Sequence, residues 1–121
     1  MLAYVDGKPV GWCAIAPREQ YPRLERSRIL QPIDECAVWS VTCFFVARAF
    51  RRQGLSARLL KAAVKFAHSR GARIVEGYPH EVKSSADVFV FTGLLNAFRK
   101  AGFKEVARRS KTRPIMRAVL R

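Results

Sequence analysis

The middle of this chain constrains its fold most. Val38 to Val46 is almost continuously apolar and β-favouring, as in a central strand covered on both faces, and from Leu55 to Arg70 the apolar period becomes helical. Leu55, Leu59, Leu60, Ala63, Val64 and Ala67 recur at three- and four-residue steps, while Arg58, Lys61 and Lys65 fall elsewhere on the wheel. Gly71 fits the C-cap of this core-facing helix, and Ala72 to Gly77 supplies a short strand before a break at Tyr78-Pro79. A strand-helix-strand unit of this kind is normally a right-handed crossover between parallel strands. The crossover places Arg51-Arg52-Gln53-Gly54-Leu55-Ser56 at the carboxyl end of the central strand, where ligands of α/β folds bind. A glycine lets backbone approach a ligand, the first helical amides have no intrahelical acceptor, and two arginines add charge. The junction therefore suits a polyanion, though the same residues also describe an ordinary turn with solvated arginines.

The flanking segments complete one domain. Leu2 to Val5 and Val10 to Ala16, joined by Asp6-Gly7-Lys8-Pro9, read as a hairpin. Pro17 to Ala37 is charged and interrupted by Pro17, Pro22 and Pro32, which predicts an irregular excursion or a short helix around Leu24 to Leu30. Phe89 to Ala101 reads as a second helix through Leu94, Leu95 and Phe98, stopped by Gly102; Lys104 to Arg109 and Ile115 to Leu120 read as closing strands. The expected order is β-β-β-α-β-α-β-β over residues 1–121, a single α/β domain with a mixed sheet and two main helices.

Twenty-three Lys and Arg against nine Asp and Glu leave a net charge of +14, which favours anionic partners without choosing among them. No helix-turn-helix or RNA-recognition pattern accompanies the charge, so a nucleic-acid-binding module is the weaker reading. Three cysteines, Cys13, Cys36 and Cys43, lack paired spacing and read as reduced structural thiols. No HExxH, paired-Cys or His-cluster pattern suggests a metal. No apolar run approaches the roughly 20 residues of a membrane helix and no signal pattern is present, so a cytoplasmic protein is expected.

Taken with this order, two motifs resemble the GNAT superfamily of N-acetyltransferases. Arg51-x-x-Gly54-x-Ser56 is similar to the family's phosphate signature of Arg or Gln, two residues, Gly, one residue, then Gly or Ala. Phe98-Arg99-Lys100-Ala101-Gly102-Phe103 is similar to its second cue, an aromatic residue, three residues and Gly-Phe. The resemblance implies acetyl-CoA as acyl donor. Its pyrophosphate would lie in the turn formed by Arg51, Arg52, Gln53, Gly54, Leu55, Ser56 and Ala57, and its pantetheine along a bulged strand ending Phe44, Phe45 and Val46. Ser56 stands where Gly or Ala is usual, and Phe98 stands where many members carry a tyrosine proposed to protonate the departing thiolate. The chain also begins at what resembles the family's second strand, without the first strand and the two helices after it.

Acetyl transfer to an amine needs a neutral nucleophile, a polarised thioester carbonyl and a proton for the leaving thiolate. A bulged strand turns one amide outward, here expected near Val46, to polarise the carbonyl. For the base, Glu76 on the strand beside the central one is the leading candidate, with Glu81 and Glu35 as others; each also reads as a solvated or paired carboxylate. Tyr78 substitutes for the missing acid, His80 is a weaker relay, and Ser40 and Thr42 could hold a water. Trp39, Phe44, Phe45, Phe89 and Phe91 read as core first and as a tunnel lining second. The expected function is an acetyl-CoA-dependent N-acetyltransferase acting on a small-molecule or peptide amine. A non-catalytic or partner-dependent acyl-CoA-binding unit is the alternative. An exposed first strand would favour a homodimer.

Overall fold

The computed structural model describes residues 2–47, 54–79, 95–110 and 113–120, apart from the side chains of Val5, Glu25, Cys43 and Phe44. Six strands form one sheet in the order β1-β2-β3-β4-β6-β5. They are β1 (Leu2–Val5), β2 (Lys8–Pro17), β3 (Trp39–Val46), β4 (Ile74–Gly77), β5 (Lys104–Arg108) and β6 (Pro114–Val119). Only β3 and β4 run parallel; the other neighbours pair antiparallel, giving the expected mixed sheet. Asp6 and Gly7, at φ 51° and 77°, make the tight turn between β1 and β2.

Helix α2 (Leu55–Ser69) is the crossover between the two parallel strands. Its apolar stripe buries Ala57, Leu59, Leu60, Ala63 and Ala67 against one face of the sheet, where Cys13, Val41, Val46, Val75, Met116 and Ala118 join the same core. Of the second predicted helix the described part, residues 95–100, is helical and is labelled α3; its expected start at Phe89 lies outside the described residues. Gly102 at φ 96° ends it, and the Phe103 amide reaches back to the Phe98 carbonyl at 3.0 Å, the long bond of a Schellman cap.

The excursion between β2 and β3 folds onto the opposite face. A 3-10 turn at Arg18–Gln20 leads into α1 (Pro22–Arg26), which begins earlier than the predicted helix around Leu24 to Leu30. Pro22 explains the shift, since proline at the first helical position loses no hydrogen bond and has its φ preset. Leu24 and Leu30 then pack with Tyr78 and Ile115 as a second, smaller core. The neck of the excursion closes where the Arg18 amide donates to the Val38 carbonyl at 3.0 Å.

The two sheet faces therefore differ. Register sets Ala16, Ser40, Glu76, Arg117 and Lys104 side by side across β2, β3, β4, β6 and β5, on the face away from α2. Where α2 meets hydrocarbon, the excursion meets a polar row.

Candidate functional site

Strands β3 and β4 are in register only from Trp39 to Val41 against Val75 to Gly77. Beyond that, β3 runs on to Val46 while β4 ends at Gly77, so the two parallel strands part at their carboxyl ends. The register of β2 against β3 also jumps from Ala14–Cys43 to Ile15–Val41, leaving Thr42 as the extra residue of a bulge. The bulge thus sits four residues before Val46, where the outward amide was expected, and coincides with the point where β4 departs. A bulge there bends β3 and sharpens its twist, which helps open the cleft. Gly11 of β2 permits the close approach of β3 on the other side, since a Cβ there would stand 2.8 Å from the Phe45 carbonyl oxygen.

The far end of β3 leads towards α2. Gly54 caps that helix at φ 74°, a backbone conformation that L side chains rarely adopt, and accepts the first helical bond from the Arg58 amide at 3.1 Å. No side chain caps the helix and its first turn contains no acidic residue. The amides of Leu55, Ser56 and Ala57 precede the first intrahelical donor, so the positive end of the dipole is presented with donors for an anion. Arg51, Arg52 and Gln53 lie outside the described residues. The described part of the junction fits a phosphate group, in a permissive glycine, a small Ser56 and an uncapped helix end.

Of the residues expected near the thioester, Phe45 is half exposed rather than core, while Val46 is buried. Trp39 is partly buried and meets Phe66 edge-on at 6.2 Å between centroids. Phe98 is buried, with its ring edge-on to Phe103 at 4.9 Å and packed over Gly77, where any Cβ would overlap it. Glu81, His80, Phe89 and Phe91 lie outside the described residues.

Glu76 and Tyr78, the expected base and acid, are brought together. The Tyr78 hydroxyl donates to Glu76 Oε1 at 2.7 Å and accepts from Arg18 Nη1 at 2.9 Å. With its proton so committed, it leaves the Ser40 hydroxyl at 2.8 Å to donate. Arg18 Nη1 also reaches Glu76 Oε1 at 3.3 Å, and Arg117 Nε donates to Glu76 Oε2 at 2.7 Å. Burial, then the Glu76 charge, pushes the Tyr78 phenol up, so it stays protonated. A carboxylate only 1% exposed, with both oxygens taken by guanidinium groups, is poorly placed to accept a substrate proton.

The same row ties down the excursion. Arg18 Nη2 donates to the Leu24 and Leu30 carbonyls at 3.2 and 2.6 Å, and Arg117 grips Asp34 with both terminal nitrogens, at 2.8 and 3.0 Å. The Arg117 guanidinium, and secondly the Cys36 amide, hold the Asp34 carboxyl down at about 2. Arg113 Nε donates to the Tyr78 carbonyl at 3.1 Å. Arg18, Asp34 and Arg117 escaped the sequence reading. The available signal was a lone acid in Ile74-Val75-Glu76-Gly77 and a lone base in Pro114-Ile115-Met116-Arg117, opposite charges on short apolar strands.

The Acetyltransferase (GNAT) family model matches residues 1–85. The chain belongs to the GNAT acetyltransferase family. Similar solved structures include an acetyltransferase of the GNAT family from Streptococcus pneumoniae, 15% identical over 98% or more of this chain (99%) and 65% of its own, at TM-score 0.64. Ribosomal-protein-alanine N-acetyltransferase from Brucella melitensis is 15% identical, with 98% and 67% covered and TM-score 0.65. The NatC complex bound to Gag peptide and CoA is 13% identical, with 98% and 66% covered and TM-score 0.61. At these identities the likeness is one of fold, and the chain spans 65% of the Streptococcus protein's length. No curated protein matches the chain in sequence. The parting of β3 from β4 beside the Gly54-capped helix is thus set within a GNAT fold. Among the described residues no helix is long and apolar enough to cross a membrane, and no group of His, Cys, Asp or Glu is arranged to hold a metal ion.

Proposed function

We propose that this chain binds acetyl-CoA at the β3–α2 junction and transfers the acetyl group to an amine. The observation that carries the reading is the coincidence of three features at one end of the sheet: strands that part after Val41 and Gly77, a bulge at Thr42, and an uncapped helix end behind Gly54. In this reading Arg51, Arg52, Gln53, Gly54, Leu55, Ser56 and Ala57 hold the pyrophosphate, and Phe44, Phe45 and Val46 flank the pantetheine. The cofactor supplies an activated acyl thioester. The bulged strand orients it, and the chain lowers the barrier chiefly by holding amine and acyl group together, with backbone donors facing the carbonyl.

Glu76 and Tyr78 enter this proposal as positioning residues. Their hydrogen bonds to Arg18, Ser40 and Arg117 fix the point from which β3 and β4 diverge. The acceptor is an amine that reacts in its neutral form, and its own proton leaves to solvent or to a group outside this network. The Phe98 ring, buried over Gly77, offers no proton to a thiolate, which favours a second reading, an acyl-CoA-binding unit without transfer.

Release of free CoA thiol across a panel of small amines and peptide N-termini separates the two. Amine-dependent release with at least one acceptor is expected. Saturable acetyl-CoA binding with no release above the amine-free rate across the panel would overturn transfer and leave the binding unit.

A further inference from the structure

We propose that the free edge of β1 is the site at which a second copy of this chain adds to the sheet. The inference rests on the fold and is independent of the acyl-CoA reading. Strands β1 and β5 are the two ends of the sheet among the described residues. Edge strands invite pairing unless charge or proline blunts them. Strand β5, Lys104-Glu105-Val106-Ala107-Arg108, is protected by charged side chains; β1, Leu2-Ala3-Tyr4-Val5, has none.

Register adds an apolar band leading to that edge. Leu2 pairs with Trp12, and Trp12 with Phe45, so the three cross β1, β2 and β3 on the face away from α2, and alternation places Tyr4 beside Leu2. All four are exposed, at 55%, 42%, 48% and 57% for Leu2, Trp12, Phe45 and Tyr4. A contiguous exposed aromatic and aliphatic band of this kind marks an interaction surface.

Charge selects the occupant. The chain carries +14, yet up to Ala16 its only charged side chains are Asp6 and Lys8, which cancel. A nucleic acid or an anionic lipid surface would find no excess of cations here. A second copy can approach along this one edge without meeting the like charge that covers the rest of the molecule. Asp6 and Lys8 at the hairpin tip are moreover complementary between two copies.

Symmetry then fixes the register. A two-fold axis normal to the sheet keeps the exposed faces of both copies on one side, and residues directly opposite in an antiparallel pair share a face. Leu2 must therefore face Tyr4 of the second copy, with Ala3 facing Ala3. Aliphatic–aromatic cross-strand pairs form twice, and the band runs unbroken from Phe45 of one copy to Phe45 of the other.

Light scattering coupled to size exclusion, on the whole chain at micromolar concentration, tests this. The expected mass is twice the 13.7 kDa of one chain. Tyr4→Lys and, separately, Leu2→Lys should each return the mass to that of one chain with an unchanged far-ultraviolet circular dichroism spectrum; the spectrum confirms that the variant has folded. Val106→Lys on the opposite edge should leave the dimer intact. A monomeric parent chain, a dimer that survives both β1 lysines, dissociation by Val106→Lys alone, or oligomers growing without limit would each overturn the proposal.

Discussion

Glu76 shows how one position settles a question of role. A lone carboxylate on a short strand beside the central one has the sequence profile of a general base, and nothing local to Ile74-Val75-Glu76-Gly77 separates that role from a structural one. The separation comes from Arg18 and Arg117, which lie 58 and 41 residues away in sequence. Buried ion pairs contribute little net stability when intact, but removing one partner strands the other charges in low dielectric. Glu76→Gln, which keeps the shape and removes the charge between two guanidiniums, is expected to cost about 3 kcal/mol in urea unfolding. An unchanged midpoint with lost turnover would instead restore Glu76 as the base. Tyr78 was legible as a polar residue at the strand end, but the direction of its hydroxyl, back towards Ser40 and Glu76, depends on the fold.

The elements were legible where periodicity is local. Helix α2 follows from Leu55, Leu59, Leu60, Ala63 and Ala67, its end from Gly71, and the β1–β2 hairpin from Asp6-Gly7. The bulge was less so, because Thr42 stands out only once β2 is laid against β3. The excursion was legible only as a break, since its three prolines say where regular structure stops and not what holds it to the sheet. Arg18 does that, joining the Leu24 and Leu30 carbonyls to Glu76 and Tyr78. Arg109 adds two bonds, to the carbonyls of Gln31 and Pro32 at 2.5 and 3.1 Å. Arg18→Met should therefore loosen residues 18–38 selectively: their amides should exchange at least tenfold faster while those of β3 and α2 keep their protection. Uniform acceleration across the chain would mean that the arginine supports global stability and not this element.

At the scale of the molecule, a mixed sheet brings its single parallel pair and its crossover helix to one place. Strands β3 and β4 part after Val41 and Gly77, α2 begins behind Gly54, and the excursion braces the far face through a row in which Arg18 and Arg117 balance Glu76 and Asp34. Overall charge pointed to an anionic ligand, and this architecture offers one a defined place. Isothermal titration with acetyl-CoA tests the central claim most directly. The account predicts saturable binding, competed by free CoA and weakened at least tenfold when Arg51 and Arg52 are both replaced by alanine. Absence of binding by the folded parent chain, or equal affinity in the doubly substituted one, would contradict it.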